Sequence, residues 1–299
     1  MDRIGFIRIS TALIGGLSLG CMAGQAKRPE KVRIGLITDL HYADRTPPPG
    51  LSRYYSESLA KLAECVEVMN REKVDMLVQL GDFKDEDIPP AEETTLSYLA
   101  AIEQEFSRFD GPYYHVPGNH DHDSISKQQY LDAISNTGFE KALCYYSFNR
   151  NGYHFIVLDA NYTISGEPYG HGNFDWKDTA IPEQQLDWLK GDLKEHRDMP
   201  AVVFVHQRLD YVSGKEDHFV KNARQVREIL EASGNVLMVL QGHDHAGAFS
   251  RIGNIVYYTL KAAVEGSGPE NNSYAILEID PDKGMHLTGF RRTESRSFS

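Results

Sequence analysis

The sequence predicts an α/β fold, specifically an α+β sandwich in which two mixed β-sheets are flanked by helices. Strand patterns alternate with amphipathic helix patterns in the first half of the chain, which is typical of parallel sheets covered by helices. Hairpin patterns dominate towards the C-terminus, which indicates antiparallel strands. The 299 residues are 41% hydrophobic, so the chain carries enough apolar side chains to form one large core.

Short apolar runs in the first half are interpreted as strands, and runs with apolar residues three or four positions apart as helices. Val32 and Ile34 belong to the first strand run. Leu59, Leu62 and Val66 recur at helical spacing after it. The predicted strands cover residues 31–38, 75–80 and 113–116, and the predicted helices cover residues 51–72, 91–109 and 124–134.

The second half begins with a hairpin signal at Asn151-Gly152, a dipeptide that favours tight turns. Residues 161–181 show no periodicity and are too long for a plain connector, so we expect a functional loop. Residues 27–299 are predicted to form a single domain. The predicted strands are 144–148, 153–159, 201–205, 236–240, 249–252, 255–260, 274–279 and 285–290, and the predicted helices are 182–197 and 217–233.

The net charge of −12 argues against extended binding to DNA or RNA, because such binding relies on basic side chains that contact phosphates. A negatively charged protein that acts on phosphate compounds needs a local source of positive charge. Bound metal ions can supply that charge. The composition therefore favours a small-molecule partner over a nucleic acid.

The N-terminus predicts an export signal rather than part of the fold. Arg3 and Arg8 accompany an apolar stretch over residues 9–20, which is too short to cross a bilayer. Residues 1–26 are interpreted as a cleaved signal peptide, so we expect an exported protein, periplasmic or secreted, without a transmembrane span. A lipid anchor at Cys21 is one alternative, and an uncleaved hydrophobic N-terminus is another.

Two further cysteines do not indicate a disulfide framework. Cys65 falls within a predicted helix, and Cys144 opens a predicted strand. We therefore expect two packed thiols rather than a bridge.

Residues with metal-binding chemistry follow five of the predicted strands. Side chains at positions i and i+2 of an extended segment share a face, so an Asp-X-His or His-X-His sequence can direct both side chains to one point. Carboxylate, imidazole and amide oxygen together suit Mn, Fe or Zn, whereas Mg and Ca prefer oxygen ligands alone. One such residue is weak evidence, but five such loops are hard to explain by chance. The residues are Asp39, His41, Asp82, Asn119, His120, His206, His243 and His245.

This series of motifs resembles the calcineurin-like metallophosphoesterase superfamily over roughly residues 32–260. The resemblance implies a four-layer sandwich with a dinuclear centre of Mn, Fe or Zn at the strand ends. It implies that His120 is the catalytic histidine and that Asp82 bridges the two ions. Asp39, His41 and His245 would then hold one ion, and Asn119, His206 and His243 the other. The motifs are Asp39-X-His41, Gly81-Asp82-X-X-Asp85, Gly118-Asn119-His120-Asp121, His206 and Gly242-His243-X-His245.

Within that superfamily, the chain is similar to the manganese-dependent ADP-ribose/CDP-alcohol diphosphatases. Tyr54-Tyr55 at the start of a long helix, residues 78–82 and the helix over residues 184–189 carry this closer similarity. The predicted signal peptide departs from those intracellular enzymes, which leaves the substrate open.

The chemistry of individual residues agrees with these roles. Asp82 suits a bridge because a carboxylate has two oxygens and one charge to share. His120 can donate a proton to a leaving oxygen. Asp85 and Asp121 are expected to orient histidines or the loop, and the alternative is that they are solvated loop acids.

Contacts to the rest of the substrate are predicted from position alone. Tyr42, Tyr54, Tyr55 and Phe83 lie beside ligand loops and are candidates to stack on a base or sugar, with core packing as the alternative. Arg208 follows His206 closely and is a candidate to contact a second phosphate, with a salt bridge as the alternative.

These observations together predict an exported binuclear phosphoesterase. We expect it to hydrolyse a phosphodiester or pyrophosphate bond of a small molecule, with a hydroxide that bridges two divalent ions as the nucleophile. A phosphomonoesterase similar to alkaline phosphatases is the main alternative. A non-catalytic metal-binding module is less favoured, because it would be expected to lose ligands or the catalytic histidine. A nuclease is disfavoured by the net charge.

Overall fold

The computed structural model describes residues 28–47, 49–211 and 215–298. Within these residues, two six-stranded sheets pack face to face and helices cover both outer surfaces. The predicted sandwich of two mixed sheets with flanking helices is confirmed. The strands are β1 (Val32–Ile37), β2 (Met76–Gln79), β3 (Tyr113–His115), β4 (Tyr146–Arg150), β5 (Tyr153–Val157), β6 (Ala201–Phe204), β7 (Val236–Gln241), β8 (Ala248–Ile252), β9 (Ile255–Thr259), β10 (Ser273–Ile279), β11 (Met285–Arg291) and β12 (Arg296–Phe298). The helices are α1 (Ser58–Glu72), α2 (Glu92–Phe106), α3 (Lys127–Ala133), α4 (Glu183–Glu195) and α5 (Ala223–Ser233).

The first sheet has the strand order β12-β11-β10-β1-β2-β3. Its parallel part is β1-β2-β3, and β1 pairs antiparallel with β10. Helices α1, α2 and α3 cover its outer face, where Leu62 and Leu99 pack in one buried cluster with Leu77 of β2. Parallel strands joined through covering helices explain the strand–helix alternation of the first half.

The second sheet has the order β4-β5-β6-β7-β9-β8. Strands β5, β6, β7 and β9 are parallel, whereas β4 and β8 run antiparallel at the edges. Helices α4 and α5 cover its outer face through Leu189 and Leu230, which pack with Val203 of β6.

The main core lies between the two sheets. Ile34 and Val78 of the first sheet share a fully buried cluster with Phe204 and Leu240 of the second. This core packs the two sheets face to face. As a result, the carboxyl ends of β1, β2 and β3 lie beside those of β6 and β7. Loops that follow these five strands therefore meet at one end of the sandwich.

Three elements differ clearly from the sequence prediction. The helix predicted over residues 51–72 begins at Ser58, after a 3₁₀ turn over Tyr55–Glu57. The helix predicted over residues 217–233 begins at Ala223, because residues 216–218 form a separate 3₁₀ turn and Phe219 and Val220 are buried after it. Strand β12 was not predicted, since its three residues carry no alternating pattern. It forms only through pairing with β11, where Leu287 is opposite Arg296.

The predicted signal peptide, residues 1–26, and Cys21 within it lie outside the described residues. In the part of the chain that the structure describes, no helix is both long enough and apolar enough to span a membrane. Cys65 is buried, Cys144 is half-buried, and both thiols are free, as their positions in the sequence predict.

A buried polar cluster fixes α4 to the second sheet. His154 Nε2 donates a hydrogen bond to Asp192 Oδ2 at 2.7 Å, and Ser147 Oγ donates to Asp192 Oδ1 at 2.8 Å. The ring of His196 stacks on that of His154, with centroids 3.9 Å apart. Burial alone would raise the pKa of Asp192, but the hydrogen bonds from His154 and Ser147 hold it below its ordinary value. The fold therefore stabilises the charged carboxylate.

We expect Asp192→Ala to lower the free energy of unfolding by about 1–3 kcal/mol, because His154 and Ser147 lose a buried acceptor. Denaturant unfolding at neutral pH measures this loss. Asp187→Ala is the matched control, since Asp187 is an exposed acid on the same helix and a change within about 0.5 kcal/mol is expected there. Equal losses in both variants would mean that the helix needs negative charge in general and not this cluster.

Candidate metal centre

The seven predicted metal ligands come together where strands of both sheets end. Each lies in a loop directly after a strand, four of them on the first sheet and three on the second. They are Asp39 and His41 after β1, Asp82 after β2, Asn119 after β3, His206 after β6, and His243 and His245 after β7.

Ligand atoms form two groups, each with its atoms within 4.8 Å of one another. In the first, His41 Nε2 lies 3.2 Å from His245 Nε2. Asp82 Oδ2 lies 3.4 Å from His41 Nε2 and 3.1 Å from His206 Nε2, so its carboxylate lies between the groups. The first group is Asp39, His41 and His245, and the second is Asp82, His206 and His243.

Several buried nitrogen and oxygen atoms of the predicted ligands have no hydrogen-bond partner. Asn119 Oδ1, His206 Nε2 and His243 Nε2 are buried without a hydrogen-bond partner. His41 and His245 each donate through Nδ1 to a carboxylate, so in the neutral form of each ring the Nε2 atom carries a lone pair, and the two Nε2 atoms face each other. Buried unpaired acceptors are costly, and a cation between them removes that cost. This mixed nitrogen and oxygen donor set fits two divalent ions of the Mn, Fe or Zn type.

The charges around the centre favour cations as well. Burial alone would raise the pKa of Asp39, but hydrogen bonds with His245 and His41 hold it well below its ordinary value. Burial would also raise the pKa of Asp82, but the positive charge that His206 and His41 carry when protonated lowers it strongly. Both carboxylates are therefore ionised, and they place negative potential at the point where the two groups meet.

Hydrogen bonds on the far side of three of the four histidine rings fix the orientation of those rings. His206 Nδ1 donates to a backbone carbonyl at 2.7 Å, and His41 Nδ1 donates to Asp85 Oδ2 at 3.0 Å. His245 Nδ1 donates to Glu265 Oε1 at 2.6 Å. Each contact leaves Nε2 directed at the centre. The sequence predicts a supporting role for Asp85, but no motif points to Glu265, which lies in the loop after β9.

Four of the ligand residues have left-handed backbone conformations. The φ angles are 51° at Asp39, 47° at His41, 52° at Asp82 and 68° at His243. Such conformations cost a residue with a side chain roughly 1 kcal/mol or more, and they concentrate at functional sites. The scaffold therefore holds these four side chains in positions that an unstrained loop would not provide.

The loops that carry Asp82 and Asn119 pack backbone against backbone. A Cβ atom on Gly118 would lie 2.0 Å from the backbone nitrogen of Asp82, so no larger residue fits. Asp121 ties the two loops together, because its Oδ1 accepts from the Phe83 backbone N–H at 2.9 Å and its Oδ2 from that of Gly118 at 2.7 Å.

His120 lies at the edge of the centre with its side chain 21% exposed. Its backbone N–H donates to Asp82 Oδ1 at 2.8 Å, and its ring meets that of His41 edge-on at 4.7 Å. Nδ1 lies 3.5 Å from Asp85 Oδ2 and 3.7 Å from Asp123 Oδ2. Burial alone would lower the pKa of His120, but these carboxylates and Asp82 raise it to about 9. Because Nδ1 faces these carboxylates, Nε2 is the ring nitrogen that is accessible from the cavity.

A cavity of about 260 Å³ opens above the centre, and three residues without any sequence motif contribute to its wall. Arg53 supplies a positive charge, and Trp176 and His218 supply flat rings. The Trp176 ring lies 5.4 Å from that of His218 and 5.9 Å from that of His243. The only signal in the sequence was the aperiodic loop over residues 161–181, which carries Trp176.

Two loops meet at the mouth of this cavity. Lys177, next to Trp176, pairs with Asp217, next to His218, at 3.2 Å. Both charged side chains are half exposed, which distinguishes this contact from the buried ion pairs below it. The wall of the cavity is therefore held less firmly than its floor.

The aromatic residues predicted to contact substrate do not line this cavity. Phe83 is fully buried in the core beneath α1 and α2. Tyr55 is buried under Arg45, whose guanidinium carbon lies 4.0 Å from the ring centre. Tyr42 packs edge-on against Tyr98 with ring centres 5.6 Å apart. These residues pack in the core instead, which was the alternative interpretation of the sequence. The sequence could not decide between the two, because adjacency to a ligand does not determine which way a side chain points.

Arg208 does not face the cavity either. Its guanidinium is buried and donates to Asp210 at 3.0 and 3.1 Å and to Asp244 at 2.7 Å. Two carboxylates therefore occupy the donors that a second phosphate would need. Arg208 links the loop after β6 to the loop after β7 and so supports the positions of the ligands on both.

Comparisons with known proteins agree with this geometry. The sequence model of the calcineurin-like phosphoesterase family matches residues 32–247. A manganese-dependent ADP-ribose/CDP-alcohol diphosphatase from Arabidopsis thaliana is 26% identical, over 92% of this chain and 99% of the relative. A 3',5'-cyclic-nucleotide phosphodiesterase from Nostoc sp. is 26% identical, over 87% of this chain and 86% of the relative. A dimetal phosphatase from Danio rerio has a TM-score of 0.74 at 22% identity, over 90% of this chain and 98% of that one.

The same comparisons contradict the prediction of export. The prediction is wrong, because the similar plant, fish and cyanobacterial enzymes give no support for an exported form. An apolar N-terminal stretch with two nearby arginines was therefore insufficient to predict localisation.

We expect Glu265→Gln to weaken metal binding by about 10–100-fold, because His245 loses the carboxylate that orients its ring. Titration of the metal-free protein with Mn²⁺ measures the affinity directly. Glu270→Gln is the matched control, because it removes the same charge from an exposed position in the same segment. Unchanged affinity in Glu265→Gln would show that His245 needs no carboxylate behind it.

Proposed function

The chain belongs to the calcineurin-like phosphoesterase family, and from that premise we propose that it hydrolyses a phosphodiester or pyrophosphate bond of a small molecule. The observation that supports this proposal best is the carboxylate of Asp82, whose Oδ2 lies 3.4 Å from His41 Nε2 in one group of ligand atoms and 3.1 Å from His206 Nε2 in the other. Two neighbouring metal ions need a ligand that they can share. A carboxylate that lies between two ligand groups can serve as that ligand, because it has two oxygens.

The proposed ligands divide along the two groups, with Asp82 shared between them. Asn119 joins the second group, because its Oδ1 is buried and has no donor. When bound, two such ions would supply the positive charge that neutralises a phosphate group and lowers the pKa of water. Asp39, His41 and His245 would hold one ion, and Asn119, His206 and His243 the other.

His120 is proposed as the general acid. Its Nδ1 faces the carboxylates, so its Nε2 can hold a proton at the side of the cavity. As the bond between phosphorus and the leaving oxygen breaks, that proton passes from Nε2 to the leaving oxygen. The exposed edge of the ring gives substrate access to Nε2. Asp82 holds the His120 backbone by accepting from its N–H, and the His41 ring packs edge-on against the His120 ring.

The wall of the cavity supports a nucleotide-like substrate. Arg53 can contact a phosphate next to the reacting one, and Trp176 can stack on a base. The relatives named as ADP-ribose/CDP-alcohol diphosphatases and as cyclic-nucleotide phosphodiesterases act on compounds of this kind. We therefore propose a substrate in which the scissile phosphate is attached to a nucleoside.

Two other functions are less well supported. A phosphomonoesterase would need the same ions, but Arg53 and Trp176 extend the cavity beyond a single phosphate. A non-catalytic metal-binding module would have no use for His120, which is present and has access to the cavity.

A hydrolysis panel tests this proposal. The metal-free protein is reloaded with Mn²⁺ and assayed with ADP-ribose, CDP-choline, a bis-aryl phosphate and an aryl monophosphate. We expect ADP-ribose or CDP-choline to give the highest kcat/KM. Fastest turnover of the monophosphate would favour the phosphomonoesterase, and no turnover of any compound by protein with two bound ions would favour the non-catalytic module.

Asp82→Asn should abolish turnover and reduce the metal content below two ions per chain, because the shared carboxylate loses its charge while its shape is kept. Elemental analysis and the same assay measure both effects. Asp44→Asn is the control, since Asp44 is exposed in the neighbouring loop. Two ions and normal turnover in Asp82→Asn would overturn the dinuclear assignment.

His120→Ala should keep both ions but lose activity in a manner that depends on the leaving group. For an alkyl leaving group the loss should approach the roughly 10²–10⁴-fold contribution of general acid catalysis, and for nitrophenolate it should be much smaller. His171→Ala is the control, since His171 is an exposed histidine of the cavity loop. Equal losses with both leaving groups would assign His120 to phosphate binding, and loss of an ion would place it among the ligands.

A further inference from the structure

The side chain of Asn161 joins two loops that carry proposed ligands of the second ion. Asn161 is fully buried at the start of the aperiodic loop that follows β5. Its Nδ2 donates to the Pro117 backbone carbonyl at 2.9 Å, and its Oδ1 accepts from Gln207 Nε2 at 2.6 Å. Pro117 lies two residues before Asn119, in the loop after β3 of the first sheet. Gln207 directly follows His206, in the loop after β6 of the second sheet.

The amide of Asn161 can take only one orientation. It also donates through Nδ2 to Asp159 Oδ1 at 2.8 Å, and its backbone N–H donates to the same oxygen at 2.9 Å. The Pro117 carbonyl and Asp159 Oδ1 are both acceptors, so a reversed amide would place its own oxygen against two other oxygens. Asp159 is fully buried, and its other carboxylate oxygen accepts from Lys127 Nζ. Asp159 and Lys127 thus fix the side chain that in turn holds the two loops.

These contacts reach the ligands of one proposed ion and not those of the other. Asn119 and His206 both belong to the second ion, although they come from different sheets. No hydrogen bond of Asn161 within the described residues reaches the loops after β1 and β7, where the proposed ligands of the first ion lie. Among those ligands, His41 and His245 are oriented by carboxylates in other loops.

We propose that Asn161 is a positioning residue for the second metal ion, because it fixes the separation between the loops that carry Asn119 and His206. The proposal rests on the proposed function, in which two ions bind at this centre. Asn161 acts through the Pro117 carbonyl and the Gln207 side chain, so it sets the position of the ligands and is not a ligand itself. Loss of such a supporting contact typically weakens metal binding by about 10–100-fold.

A second asparagine of the same loop provides the matched control. Asn173 is exposed, its Nδ2 donates to the Pro168 carbonyl at 2.8 Å, and its Oδ1 accepts from the Gly170 backbone N–H at 2.9 Å. Both contacts stay within the loop. The backbone carbonyl of Asn161 also accepts within the loop, from the Tyr169 N–H at 2.9 Å, and Asn161→Ala retains that contact. Asn173→Ala therefore changes the loop alone, whereas Asn161→Ala also releases the loops that carry ligands.

Titration of the metal-free protein with Mn²⁺, followed by EPR, tests the proposal, because the spectrum distinguishes a single bound ion from a coupled pair. For Asn161→Ala we expect one ion to bind as in the unmodified protein and the other to bind about 10–100-fold more weakly. Asn173→Ala should bind both ions normally. General damage to the fold would weaken both ions alike. Equal losses for both ions in Asn161→Ala, or unchanged affinities, would overturn the proposal.

A double variant identifies the ion that is weakened. Glu265→Gln is expected to weaken the first ion, since Glu265 accepts from His245. If Asn161 supports the second ion, Asn161→Ala combined with Glu265→Gln leaves no tightly bound ion, because the two losses fall on different sites. One remaining tight ion in the double variant would place both residues at the same site and would contradict the proposal.

A milder variant keeps the test informative if Asn161→Ala does not fold, since that change leaves several buried partners without a hydrogen bond. Gln207→Met keeps the volume of the side chain and the contacts of Asn161 with Pro117 and Asp159, but it removes the donor next to His206. We expect a selective loss of affinity for one ion in Gln207→Met as well. Normal affinity for both ions in this variant would count against the link between the two loops.

These measurements follow metal binding without substrate, so they separate the two proposals. An unmodified protein that binds fewer than two Mn²⁺ ions would overturn the proposed function and, with it, the role of Asn161. Two ions in the unmodified protein and the same two affinities in Asn161→Ala would overturn the role of Asn161 alone.

Discussion

The rest of the structure depends on the crowding of negative charge and lone pairs where the two sheets end. His41 and His245 direct Nε2 atoms at each other at 3.2 Å, and Asp39 and Asp82 add two ionised carboxylates to the same space. A protein interior tolerates such an arrangement only when cations compensate it. The strained backbone at the ligand positions and the contact of Gly118 with Asp82 keep the groups together against their mutual repulsion.

The two sheets contribute different parts of this arrangement. The first sheet supplies all the proposed oxygen ligands, Asp39, Asp82 and Asn119, together with His41. The second sheet supplies only histidines, at His206 and the two positions after β7. The core between the sheets, which contains Ile34 and Phe204, is thus what brings the two sets of proposed ligands together. Loss of packing in that core would separate the two sets before it changed either loop.

The sequence predicts the parts of the molecule that follow local rules. Strand runs, amphipathic helices and the residues directly after strands depend on periodicity and on adjacency, so the layers and the seven converging side chains could be anticipated. Glu265 and Trp176 lie in loops without a pattern, and only the three-dimensional path of the chain brings them to the centre. Phe83 and Arg208 show that closeness in sequence can also mislead. Both lie close to predicted ligands in sequence and yet are buried away from the cavity.

The contact between Lys177 and Asp217 has a consequence for how this protein can change over evolutionary time. Exposed ion pairs contribute about 0–1 kcal/mol, so the loops that they join are free to vary in length and composition without unfolding the domain. The proposed metal ligands, by contrast, lie at buried positions with a strained backbone, which do not tolerate such changes. The loops that contain Lys177 and Asp217 can therefore change in sequence while the loops that carry the proposed metal ligands stay the same.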